Sequence, residues 1–70
     1  MKQIKAQMAG IVVQLLVKPG DAVNEGMEVL ILESMKMQIP VPSDNSGKVS
    51  KIHVSKDDFI NEGDTILTLE

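Results

Sequence analysis

The chain has 70 residues, one histidine, no cysteine and a formal net charge of −3, with both signs of charge scattered along it. That length makes one small domain, and the composition excludes a disulfide framework or thiolate metal site, a metal centre built on His53 alone and the basic stripe of a nucleic-acid binder. No apolar run approaches the length of a membrane span, so the core must come from Val, Ile, Leu and Met with a single aromatic, Phe59.

Lys2 and Lys5 followed by Ala9 to Val17 have the outline of a signal peptide. Gln14 interrupts the apolar stretch, however, and Lys18-Pro19-Gly20-Asp21 is no small-residue cleavage site. The chain reads as cytoplasmic. Leu15 and Val17 alternate with other residues at period two, which predicts a strand with one buried face. Lys18-Pro19-Gly20-Asp21 fits a type II turn, with Pro at the second position and Gly at the third. Asn24-Glu25-Gly26 predicts a second turn, in which Gly supplies a left-handed residue. Val29 to Glu33 is a strand of branched apolar residues, and a further strand runs from Met37 to Val41. Pro40 and Pro42 cannot donate ladder hydrogen bonds, which places that strand at an edge or makes it short. Ile52 and Val54 repeat the earlier alternation. Ser55-Lys56-Asp57-Asp58 lacks both Pro and Gly and calls for a different turn, and Asn61-Glu62-Gly63 repeats the second one. No stretch shows a helical period.

These echoes form a repeat. Gly10 to Glu33 aligns without a gap on Gly47 to Glu70, and ten of the 24 pairs are identical, among them Gly10/Gly47, Val12/Val49, Asp21/Asp58, Gly26/Gly63, Leu32/Leu69 and Glu33/Glu70. Two copies are too few for a solenoid and instead give an internal pseudo-twofold axis. Positions apolar in both copies are expected to point inward: Val12/Val49, Leu15/Ile52, Val17/Val54, Val23/Ile60, Leu30/Leu67 and Leu32/Leu69. Positions apolar in one copy only are expected outward: Ile11/Lys48, Val13/Ser50, Leu16/His53 and Ile31/Thr68. His53 is therefore a surface residue. The expected architecture is all-β: a small sandwich or flattened barrel of two related sheets. Its copies span residues 1–33 and 38–70, and its hairpin tip residues 34–37.

The tip is anomalous. A two-residue hairpin wants Asn, Asp or Gly, which tolerate positive φ, yet here the chain offers Met35-Lys36. A surface lysine is most often a solvated charge, and methionines are adaptable core fillers. Three features set Lys36 apart: the wrong turn chemistry, a Met on either side, and a place at the joint between copies. A residue that breaks a local rule without visible gain marks a candidate functional site. If Glu33 pairs with Gln38, symmetry also puts Glu70 beside Met1, at the opposite end from Lys36. A handle would then project one way and a tether the other.

Met35-Lys36-Met37 matches the Met-Lys-Met motif of biotinyl domains, Gly20-Asp21-Ala22-Val23-Asn24-Glu25-Gly26 matches their Gly-Asp-x-Val-x-x-Gly pattern, and Gly47 follows the lysine at the distance they show. The chain resembles the biotinyl/lipoyl attachment domains over nearly its whole length, and within them the short stand-alone bacterial biotin/lipoyl attachment proteins. Two departures are visible: Ser34 stands where carboxylase domains have Ala, and Ala6-Gln7-Met8-Ala9-Gly10 where they often read Ala-Pro-Met-Pro-Gly. There is also no thumb inserted between the early strands.

The resemblance implies two four-stranded antiparallel sheets and a modified lysine, Lys36, on an exposed hairpin. It implies biotin as the covalent cofactor. The attaching enzyme would be a biotin protein ligase acting through biotinyl-AMP, and the amine must be deprotonated and positioned by that ligase. The biotinylated domain, expected to be a monomer, would then carry carboxylate from a biotin carboxylase to a carboxyltransferase, with no activity of its own. Met35 and Met37 would serve recognition, together with Ser34 and Glu33, although Glu70 repeats Glu33 away from any such lysine and favours a strand-end role for it. Two alternatives stay open: a lipoyl carrier loaded on the same lysine by a lipoyl ligase, and an unmodified barrel that mediates contacts only.

Overall fold

The computed structural model describes residues 2–70. Eight strands follow in chain order: β1 (Lys2–Lys5), β2 (Gly10–Leu15), β3 (Ala22–Val23), β4 (Glu28–Ser34), β5 (Met37–Pro42), β6 (Gly47–Ile52), β7 (Phe59–Ile60) and β8 (Thr65–Leu69). They form two antiparallel sheets of four, in the orders β1-β8-β6-β3 and β5-β4-β2-β7. All-β architecture with two related sheets is thus as expected. The proline-bearing β5 lies at an edge, where the missing N–H groups of Pro40 and Pro42 leave no partner unsatisfied.

The two sheets repeat each other rung by rung. In the β4–β5 pair Leu32 faces Ile39 and Leu30 faces Val41, and in β8–β1 Leu69 faces Lys2 and Leu67 faces Ile4. Val12 faces Leu32 as Val49 faces Leu69, and Gly10 faces Ile60 as Gly47 faces Val23. Even the irregularities are shared, with register shifts that leave out Val13 in one copy and Ser50 in the other. A second pair of shifts falls at Val29 and Ile66. That pair explains a departure from strict alternation: Val29 and Leu30 are both fully buried, as are Ile66 and Leu67, because a bulge sets two successive residues against one partner.

The core is formed by residues of both copies, with Val12, Val23, Leu30, Leu32, Val49, Ile60, Leu67 and Leu69 buried as expected. Leu15, Ile52 and Val54 are half-buried and pack against it, together with Met8. One outward expectation fails. Thr68 is only 8% exposed. It lies in β8, an interior strand of its sheet, where side chains of neighbouring strands cover even the outer face, and its hydroxyl oxygen lies 2.8 Å from His53 Nε2. His53 itself is exposed.

The turn expectation is corrected too. Ser55–Asp58 does not adopt a different turn from Lys18–Asp21. Asp57 takes φ 75° where Gly20 takes 96°, and both turns close with the same backbone bond, Asp21 N–H to Lys18 O at 3.0 Å and Asp58 N–H to Ser55 O at 3.1 Å. In each, the closing aspartate accepts a bond from the first residue's N–H, at 3.0 Å in one copy and 2.8 Å in the other. Asp is among the few residues that tolerate the left-handed region, and the Asp57 N–H is held at 2.7 Å from Val12 O as the Gly20 N–H is held at 2.8 Å from Val49 O.

Chain geometry separates Lys36 from the strand ends at Lys2 and Glu70. From the tip, β5 runs away along β4 and the chain then enters β6 at Gly47, next to which Glu70 donates its N–H to Lys48 O at 2.8 Å. Lys2 pairs with Leu69 in the same region. The molecule measures 32 × 18 × 18 Å, and the hairpin and this strand junction occupy opposite ends. Met1, which symmetry sets beside Glu70, lies outside the described residues.

Candidate functional site

The β4–β5 hairpin closes with Glu33 opposite Gln38 and Ser34 opposite Met37. Met35 and Lys36 alone make the tip, and both are left-handed, at φ 52° and 65°. Positive φ at both central residues is the type I′ pattern, whose twist suits a tight antiparallel hairpin. Only the backbone geometry follows the usual rule; the residues do not. Non-glycine residues in this region are destabilised by roughly 1–2 kcal/mol each, and such local strain collects at functional sites.

Beneath the tip, β2 passes unusually close. A Cβ on Gly10 would lie 2.8 Å from the Glu33 carbonyl oxygen, so glycine is required by the approach of the two strands. The twofold equivalent, Gly47, would bring a Cβ to 2.6 Å from Glu70 O. The end of β4, and with it the start of the tip, is thereby seated against β2.

Met35 is 91% exposed and Met37 63%. Neither packs on the core; among the described methionines it is Met8 that does so. Lys36 and Glu33 are exposed and Ser34 is half-buried. None of the side-chain hydrogen bonds found among the described residues involves Lys36. No group of three or more potential metal ligands occurs among the described residues.

The five sequence-derived candidates, Glu33 to Met37, are contiguous, and the structure adds two neighbours that the sequence reading did not single out. An open groove beside the tip is lined by Glu33, Ser34, Met35 and Lys36 on one side and by Ala9, Gly10, Ile11 and Phe59 on the other. Ile11 and Phe59 face each other across β2–β7; Phe59, expected in the core, is instead 63% exposed, on a two-residue strand at the edge of its sheet. A signal for them existed in the repeat: Ile11 aligns with Lys48 and Phe59 with Ala22, so both places lose their bulky apolar side chain in the other copy.

Comparison with known proteins gives this geometry its class. Residues 2–69 match the biotin/lipoyl family described as "Biotin-requiring enzyme". The chain is 48% identical over 66 residues to the biotin/lipoyl attachment protein of Bacillus subtilis, covering 94% of this chain and 90% of that protein. It is 42% identical over 67 residues to the human mitochondrial propionyl-CoA carboxylase alpha chain, covering 96% of this chain but 9% of that much longer one. In structure it superposes on the urea carboxylase of Kluyveromyces lactis with a TM-score of 0.89 and 29% identity, over 99% of this chain and 6% of that chain. The chain belongs to the biotinyl/lipoyl attachment family.

Proposed function

We propose that the chain is a biotin carrier domain, a single attachment unit of residues 1–70 whose two copies, 1–33 and 38–70, meet at a modified Lys36. The observation that carries this reading is the tip itself: an exposed lysine, flanked by exposed methionines, on a two-residue turn with both φ values positive. A rigid hairpin that presents one amine is what a modifying enzyme needs from its substrate. Activation of the acyl group and its transfer to the amine fall to a biotin protein ligase. The chain contributes position and access.

Biotin supplies the carboxyl-carrying chemistry once attached. The chain's own part is to hold the arm's root at one end of the barrel while the strand junction at Lys2 and Glu70 lies at the other. A biotin carboxylase and a carboxyltransferase are the partners this arrangement serves, and the kinship with carboxylase chains supports them. Met35 and Met37 offer apolar contact to those enzymes, with Ser34 and Glu33 beside them. A lipoyl carrier is the second reading, favoured by the kinship with a protein named for both cofactors.

Intact mass after incubation with biotin, ATP and a biotin protein ligase tests the proposal. One biotin per chain is expected on the wild type and none on Lys36→Arg, with unchanged far-ultraviolet circular dichroism. Biotin on the Lys36→Arg protein would overturn the site, and a lipoyl adduct on protein from the native host would establish the second reading.

A further inference from the structure

The two sheets share a backbone pattern but not a charge pattern. The strands of β1-β8-β6-β3 carry four lysines and no acidic residue. Those of β5-β4-β2-β7 carry two glutamates and no lysine. The twofold places Ile39, Pro42, Ile11 and Gln14 where Lys2, Lys5, Lys48 and Lys51 stand, so the fold requires charge at none of the four positions. Gln3 and Lys5 flank the buried Ile4, and Lys51 shares a rung with Thr68 and Gln3. These side chains lie on the outer face, where His53 Nε2 also meets the Thr68 hydroxyl at 2.8 Å. Lys2 Nζ donates to the Ser46 carbonyl at 2.7 Å. None of the side-chain hydrogen bonds found among the described residues involves the side chains of Lys5, Lys48 or Lys51. Asp21 and Asp64 are bonded through their backbones to Val49 and Ala6, but their carboxylates accept from the N–H groups of Lys18 and Asn61 in their own turns. Glu70 lies beside Lys48, which leaves the positive charge centred on Lys5 and Lys51. Like charges gathered on one sheet face weaken the sheet, and the core gains nothing from them.

Resting on the reading that the chain is a biotin carrier, we infer that the outer face of β1-β8-β6-β3 docks against an acidic surface of the biotin carboxylase, with Lys5 and Lys51 at the centre of the contact. Charge complementarity selects this occupant. The chain as a whole carries −3, which opposes an extended polyanion such as nucleic acid or an anionic lipid surface. A compact acidic patch meets the lysines of this face alone, since charges farther than about 8 Å are screened at physiological salt. Gln3 and His53 add hydrogen-bonding groups beside the two lysines. The face belongs to the sheet that does not bear Lys36, so docking there leaves the hairpin free. Complementary patches act on encounter rate and orientation more than on affinity. That suits a carrier, which must meet its enzyme quickly in one orientation and then leave it.

The test is carboxylation of the biotinylated domain by the biotin carboxylase of the native host, followed against salt, with one biotin per chain verified first by intact mass. Lys5→Glu and Lys51→Glu are each expected to lower kcat/KM at low salt by roughly threefold, the size of one exposed charge pair, and the loss fades at high salt. Lys56→Glu makes the same change in net charge on the turn that packs against Val12 of the other sheet, and is expected to leave kcat/KM at the wild-type value. Lys5→Arg and Lys51→Arg keep the charge and the wild-type rate. Where a glutamate variant melts below wild type, Lys5→Gln and Lys51→Gln replace it, with a smaller loss in the same direction. An equal loss in all three glutamate variants, or a loss in none, overturns the docking face. So does binding to phosphatidylglycerol vesicles that Lys51→Glu abolishes while carboxylation stays unchanged, which would give the face to lipid. Wild-type protein that takes up no biotin, or that is biotinylated and never carboxylated, fails before any variant is compared, and that failure belongs to the carrier reading.

Discussion

Gly10 lies so close beneath Glu33 that a methyl group at position 10 would stand 2.8 Å from the Glu33 carbonyl oxygen. That carbonyl belongs to the backbone of β4, so the clash cannot be relieved by a side-chain rotation. Overpacking of this kind destabilises by about 1–3 kcal/mol. Gly10→Ala is expected to lower stability by that amount in urea unfolding, and to shift amide resonances at Glu33 and Ser34. A variant as stable as wild type would show that the two strands separate freely.

Lys36→Gly and Met35→Gly relieve a left-handed non-glycine residue each. The gain, roughly 1–2 kcal/mol, is partly offset by the 0.4–1 kcal/mol that glycine returns to the unfolded chain. Each variant is expected to melt several degrees above wild type, since 1 kcal/mol is worth about 4–8 °C in a domain of this size. Lys36→Gly gains that stability while losing the attachment amine. A lower melting temperature for both variants would mean that the tip is unstrained.

Asp57 occupies in the second copy the turn position that Gly20 fills in the first. Asp57→Gly is expected to stabilise the domain by about 0.5 kcal/mol, less than at Lys36, because Asp tolerates positive φ better. Gly20→Val is expected to destabilise it by more than 1 kcal/mol. Thermal melts of the two variants should therefore move in opposite directions.

Leu32 and Leu69 are both fully buried, on strands related by the twofold. Leu32→Ala is expected to lose about 2–5 kcal/mol, out of a total of about 4–10 kcal/mol for a chain this short. Leu69→Ala is expected to lose a similar amount. Near-wild-type melting of either protein would contradict the shared core.

Met35→Ala and Met37→Ala remove side chains that lie outside the core. Each is expected to leave the melting temperature within about 2 °C of wild type, the range of a neutral surface change. Each is also expected to lower kcat/KM for biotinylation or carboxyl transfer by about tenfold, equivalent to ~1.4 kcal/mol of lost apolar contact. Unchanged kinetics with both partner enzymes would remove the methionines from the recognition surface.

The amino-acid sequence by itself determined the strand class, the two copies, the inward positions common to both and the placement of Lys36 at their joint. Those features are local, or they repeat, and alternation and self-alignment read them directly. Tertiary structure alone decided that Asp57 copies the Gly20 turn, because that conformation is held by a bond from Asp57 to Val12 on a distant strand. It likewise decided that Val29 is buried beside Leu30, through a bulge whose partner strand the local pattern does not contain, and that Thr68 is covered by its neighbours in an interior strand. It also brought Ile11 and Phe59, 48 positions apart in sequence, to the side of Lys36, since cross-strand pairing is set by the closure of the whole sheet and not by any one segment.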